Sequence, residues 1–176
     1  MSTQDTKEQR IQRASVKAGD YEEESRNCAQ GTLAALVEEF GLHGGEDILR
    51  AASFMPGVAS SRETCGALLG GVMALGLAFG RGQLSNAEWK KPGADEEWQN
   101  VRRKMNAYCE AFRAEFGSIS CSVIRPALMG RDYDPLDSED RRQFAAEGGY
   151  QKCRFPPEVA ARLAATLLLE DQDSQP

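Results

Sequence analysis

Between Thr64 and Gly80 the chain reads TCGALLGGVMALGLAFG, an uncharged run carrying five glycines, and no other feature constrains the fold as much. It is short for a membrane span, which needs about 20 apolar residues. Its small residues recur four apart: Gly66 and Gly70, Ala67 and Gly71, Gly76 and Gly80. An interior helical glycine costs roughly 1 kcal/mol relative to alanine. A helix with this many needs a packing reason, and close approach of a second helix supplies one. The spacing predicts a buried helix, opened by a capping box at Ser60-Ser61-Arg62-Glu63 with Ser60 as N-cap and Glu63 at N3.

The remaining periodic segments also repeat at three and four, and no alternating run is long enough for a sheet. A long helix is expected over about Asp20 to Phe40, with Gly41 ending it, and a short one over Glu46 to Phe54, broken by Pro56-Gly57. The stripe Trp98, Val101, Met105, Tyr108/Cys109, Phe112, Phe116 predicts a third long helix, from about Asp95 to Phe116. Ser118 to Leu128 reads as a short helical turn interrupted by Pro126. A short helix is expected over Ser138 to Ala146, and a last one opens at Pro156-Pro157. The expected fold is all-α, a four-helix-bundle-like single domain with irregular connections. Residues 1–19 read as a polar N-terminal segment, at most a frayed helix, residues 20–169 as the helical domain, and residues 170–176 as a disordered tail.

The net charge is −6, with no block of Lys and Arg, which argues against nucleic acid or an anionic membrane surface as partner. The N-terminus, MSTQDTKEQR IQRASVKAGD, has no apolar core or cleavage site of a secretory signal. Neither membrane insertion nor nucleic-acid binding is expected, and the expected location is the cytoplasm, where structural disulfides are rare.

Against that background five cysteines stand out: Cys28, Cys65, Cys109, Cys121 and Cys153. None forms a C-x-x-C pair, so the thioredoxin and zinc-ribbon motifs are absent, and no C-x-x-C-H marks haem attachment. Cys109 lies inside the stripe of Met105, Phe112 and Phe116 and reads as a buried apolar thiol. Cys65 falls in the second turn of its expected helix, where the dipole favours a thiolate modestly. Cys153 stands between Lys152 and Arg154, just before a helix N-terminus, and both features lower a thiol pKa, making it the most reactive setting on sequence grounds. Cys121 has Arg125 four residues on. Cys28 is on the edge of an apolar stripe and by itself reads as core. The single histidine, His43, sits in the loop LHGGED and reads as a helix cap or surface residue. Glu22-Glu23-Glu24 read as the solvated first turn of a helix. CGALLGG lacks the lysine and hydroxyl residue of a phosphate loop.

Cys65-Gly66-Ala67 followed by Gly70 matches the signature CGAxxG, and the chain resembles the C_GCAxxG_C_C family of redox-active proteins, which share four cysteines. Asn27-Cys28-Ala29-Gln30 is similar to the family's first cysteine site, Gly76 to Gly80 to the end of its central helix, Phe116-Gly117-Ser118-Ile119 with Cys121 to its third site, and Cys153 to its fourth. Cys109 is an addition to the four, and Phe54-Met55-Pro56-Gly57 replaces the glycine-rich stretch that tends to precede the signature. The resemblance covers about Asp20 to Leu169. It implies that Cys28, Cys65, Cys121 and Cys153 converge and act as a thiol oxidoreductase by reversible thiol–disulfide exchange, with Cys65 as hub and an unidentified redox partner. No cofactor is called for on that reading. Two alternatives stay open. The same four cysteines could ligate zinc or an iron–sulfur cluster. The chain could instead be a binding or assembly module, with a homodimer formed through the glycine-rich helix.

Overall fold

The fold is that of a computed structural model describing residues 5–82 and 91–173, and among these residues the regular structure is helical apart from one isolated bridge. In chain order the helices are α1 (Lys7–Ser25), α2 (Cys28–Phe40), α3 (Gly45–Ala51), α4 (Gly66–Phe79), α5 (Ala94–Phe116), α6 (Cys121–Met129), α7 (Ser138–Ala146), α8 (Gly149–Cys153) and α9 (Phe155–Asp173). The all-α expectation holds. No helix among the described residues is long and apolar enough to cross a membrane.

The core is a bundle in which α1 packs on α2 and α9, α2 on α4, and α4 on α9, with α5 against α4 and α9. Its inner faces are built of small residues: Ala14 and Ala18 on α1, Ala29 and Ala35 on α2, Ala67 and Ala74 on α4, Ala160 and Ala164 on α9. Small faces let helix axes approach closely, and α4 takes this furthest. A Cβ at Gly70 would collide with the Ala29 carbonyl and lie 3.0 Å from Thr32 Cβ, both on α2. A Cβ at Gly71 would collide with the hydroxyl of Tyr108 on α5. That tyrosine is fully buried and donates to the Ala160 carbonyl at 3.3 Å.

Three expectations need correction. The single helix expected from Asp20 to Phe40 is two helices. Arg26 ends α1 in the left-handed conformation (φ 57°), and Asn27 then caps α2, its side chain accepting from the Gln30 amide at 3.1 Å. α1 also begins at Lys7, so it runs across the residue-20 boundary as a packed helix, and α9 continues to Asp173 within the segment read as a tail. Second, the short helix expected to reach Phe54 stops at Ala51. Third, the capping box at Ser60–Glu63 does not form, and α4 starts at Gly66 with Cys65 as N-cap. The main chain there has other partners: the Glu63 carbonyl accepts from the Cys121 amide at 2.6 Å, and the Arg62 carbonyl from the Ser122 amide at 2.8 Å. The chain enters this ladder through a left-handed turn, with φ of 55°, 52°, 53° and 66° at Gly57, Val58, Ala59 and Ser60. Left-handed backbone costs a non-glycine residue about 1–2 kcal/mol.

The glycines of α4 should therefore respond in opposite ways. Gly70→Ala should destabilise by about 1–3 kcal/mol through overpacking against the α2 backbone. A Cβ at Gly76 meets nothing within 4 Å, so Gly76→Ala should stabilise by about 0.5–1 kcal/mol. Denaturant unfolding measures both, and shifts of the same sign would contradict the crossing.

Candidate functional site

Local backbone structure brings the thiols together. The isolated antiparallel bridge pairs Thr64 with Ser120, and the Cys65 amide donates to the Ile119 carbonyl at 2.8 Å. Cys65, at the N-cap of α4, is thereby fixed beside Cys121, the first residue of α6. Cys28 is the first residue of α2, and the α2–α4 crossing carries its sulfur to Gly66, where an added Cβ would stand 2.6 Å from Cys28 Sγ. Cys153 closes α8, two residues ahead of Phe155, the first residue of α9. Two helices thus begin at a cysteine, a third is capped by one, and a fourth begins two residues beyond one.

Cys28, Cys121 and Cys153 line one cavity, whose empty space, counted out to the solvent at its mouth, is ≈ 830 Å³. Gly57 and Ser60 of the left-handed turn, with Pro56 before it, form part of its wall. Another part is aromatic: Phe144 packs edge-on against Tyr133 and Tyr150, at 5.4 and 5.1 Å between ring centroids. Cys65 is the most enclosed thiol, 5% exposed, and lies behind this lining rather than in it. Its charge would nonetheless be felt by Cys28 and Cys153. Cys109 is half-buried on α5 and does not line the cavity, nor does His43. All five are free thiols.

Burial is the largest influence on each thiol, and it pushes all five pKa values up. Cys65 rises to about 12, even though the Ala67 and Leu68 amides at the start of α4 pull the other way. At Cys121, the charges of Arg125 and Arg62 favour the thiolate. The expectation for Cys153 is overturned. Its pKa rises, through burial first and then the nearby Glu22 carboxylate. Arg154, its sequence neighbour, is committed elsewhere, to Asp20, Glu23 and Glu158 at 2.7–2.9 Å, and the cation acting on Cys153 is Arg125.

Glu22 is the residue that sequence reasoning misplaced. It lies in the last turn of α1 rather than a first turn, is 4% exposed, and lines the cavity of the thiols. One signal could have found it: Ala14, Ala18 and Glu22 fall four apart, so Glu22 lies on the buried stripe of α1. Its Oε2 has no hydrogen-bond partner among the described residues, and burial lifts its pKa to about 8. Arg125, four residues after Cys121 in the sequence, lines the same cavity. Its Nε is buried without a partner among the described residues, while Nη2 donates to the Tyr133 carbonyl and, at 3.3 Å, to Asp132. For the metal reading of Cys28, Cys65, Cys121 and Cys153, no group of three or more His, Cys, Asp or Glu side chains among the described residues stands close enough to hold an ion.

The reactivity order follows. Brief alkylation of the reduced protein at neutral pH, resolved by peptide mass spectrometry, should label Cys65 last. Labelling of Cys65 ahead of Cys121, which is both more exposed and flanked by arginines, would contradict this placement.

No curated protein and no solved structure matches the chain. A family profile does, over residues 26–166, from the end of α1 into α9 and through all four cysteines of the signature. The chain belongs to the family described as "Putative redox-active protein (C_GCAxxG_C_C)".

Proposed function

We propose that the protein is a thiol oxidoreductase that exchanges electrons with disulfides through Cys28, Cys65, Cys121 and Cys153. The observation that carries this reading is the shared cavity: three of the four cysteines line one space, and the fourth, Cys65, is buried outside that lining yet close enough for its charge to act on Cys28 and Cys153. In the oxidising direction a protein thiolate attacks a disulfide RS–SR, forming Cys–S–SR and releasing RS⁻. A second protein thiolate then displaces the remaining RS⁻ and leaves an intramolecular disulfide. Two electrons pass from the cysteine pair to RS–SR, which departs as two thiols. The reverse sequence reduces the protein.

Cys28, Cys121 and Cys153 all line the cavity and fit the attacking role, and the Arg125 charge favours the thiolate of Cys121. Cys65 fits the resolving role, enclosed at the N-terminus of α4 and reached by the others after small movements. Cys109 has no part. A zinc or iron–sulfur site would need several sulfurs gathered around one point, whereas exchange needs only pairs to meet in turn. Assembly through the glycine-rich helix draws less support, since Gly66, Gly70 and Gly71 face atoms of this same chain. A cytoplasmic setting suits an exchanger whose resting cysteines are reduced.

Reaction of the reduced protein with glutathione disulfide tests the reading. The wild type should lose thiols in pairs and end without bound glutathione. Cys65→Ser should instead hold glutathione as a lasting mixed disulfide, and Cys109→Ser should behave as the wild type does. A wild type inert to the disulfide, or a Cys65→Ser variant that still clears its adduct, would contradict the assignment.

A further inference from the structure

We propose that Glu22 is the proton carrier of this site, accepting the proton of the Cys28 or Cys153 thiol as its sulfur attacks and returning a proton to the thiolate that leaves. The inference rests on the thiol-exchange reading above and assigns the proton path that reading needs. Its basis is placement. Glu22 lines the cavity from the last turn of α1, six residues before Cys28 opens α2, and its Oε2 is buried without a partner among the described residues. A carboxyl buried without a cation is costly and calls for an explanation. Packing gives none, since the neighbouring Glu23 reaches Arg154 at 2.9 Å while Glu22 does not.

No other group lining the cavity can take this part, and Asp132, which acts on Cys121 from outside the lining, is held by Arg62 and, at 3.3 Å, by Arg125. Arg26, Arg62, Arg125 and Arg141 line the cavity, but a guanidinium does not give up its proton in a protein. Asp134 and Asp140 reach it from the chain around α7, where their carboxylates accept from the Leu136 and Asp134 amides at 2.9 and 2.7 Å. The Tyr133 hydroxyl donates to Glu147, and the Tyr150 ring lies beneath the Arg26 guanidinium, 4.8 Å from it. On α9, Glu158 is held by Arg154 at 2.7 Å. Among the charged groups that act on Cys28 and on Cys153, Glu22 is the leading one in both cases.

The chemistry balances. The ionised carboxylate takes H⁺ from Cys–SH as the sulfur attacks RS–SR, giving Cys–S–SR, RS⁻ and the neutral acid, which protonates RS⁻ to RSH. In the reducing direction an external thiolate opens the protein disulfide, and neutral Glu22 protonates the cysteine sulfur that leaves. Such a group works best with a pKa near the operating pH, and burial places Glu22 at about 8.

The test compares Glu22→Gln and Glu22→Asp with the wild type. Iodoacetamide labelling of Cys28 and Cys153, and thiol loss to glutathione disulfide, are followed across the pH range, and circular dichroism checks folding. If Glu22 carries the proton, Glu22→Gln slows both reactions at least about tenfold near neutral pH and removes the inflection near pH 8, while Glu22→Asp restores part of the rate. If Glu22 acts only as a repelling negative charge, Glu22→Gln speeds both reactions by lowering the thiol pKa values, and the proposal is overturned. Equal rates and unchanged pH profiles overturn it as well. A wild type that is alkylated but inert to glutathione disulfide refutes the exchange reading instead, and the labelling data still decide the role of Glu22. Should Glu22→Gln lose its helical signal, the Glu22→Asp profile decides: an unmoved inflection overturns the proposal.

Discussion

The backbone of α4 lies against the backbone of α2, and the site depends on that contact. At Gly70 there is no room for even a Cβ beside the Ala29 carbonyl. Because the helices meet near their N-terminal ends, the first residue of α2 and the N-cap of α4 are brought to the same place, and both are cysteines. A side chain at Gly66 would meet the Cys28 sulfur before it met anything else. The glycines of the signature and its cysteine are therefore parts of one arrangement, in which absence of side chains on one helix allows a thiol on the other to reach inward.

Two opposing effects meet at the thiols. A helix N-terminus favours a thiolate through its free amides and dipole. Removal from water disfavours it, and here burial prevails at every cysteine. The resting site is thus one of neutral thiols that must lose protons before they react, which gives chemical meaning to a buried carboxyl among them whose Oε2 has no partner among the described residues. Arg125 biases the balance locally, favouring charge on Cys121 and on Cys153. The cluster is uneven, with a partly exposed, arginine-flanked Cys121 in the cavity wall and an enclosed Cys65 outside that lining.

Much of this was legible in the chain and some was not. The spacing of small residues in Thr64–Gly80 revealed a buried, closely crossed helix, and the CGAxxG signature separated Cys109 from the other four. The beginning of α4 was misread because Ser60-Ser61-Arg62-Glu63 satisfies a local capping rule, while a distant segment, 119–122, captures the backbone that the helix would have used. No local pattern reports such non-local pairing. Cys153 was misjudged for a related reason. Its flanking cations are adjacent in sequence, but Arg154 turns toward Asp20, Glu23 and Glu158. Glu22 was hidden by its context: three consecutive glutamates read as a solvated surface, although the helical period places the first of them on the inner face.

The central claim is that four cysteines form one site and the fifth stands outside it. Disulfide mapping by peptide mass spectrometry, after oxidation of the reduced protein with stoichiometric small-molecule disulfide, tests it most directly. The account predicts intramolecular bonds drawn only from Cys28, Cys65, Cys121 and Cys153, with Cys109 recovered as a thiol. Bonds that include Cys109, or that form only between separate chains, would contradict it.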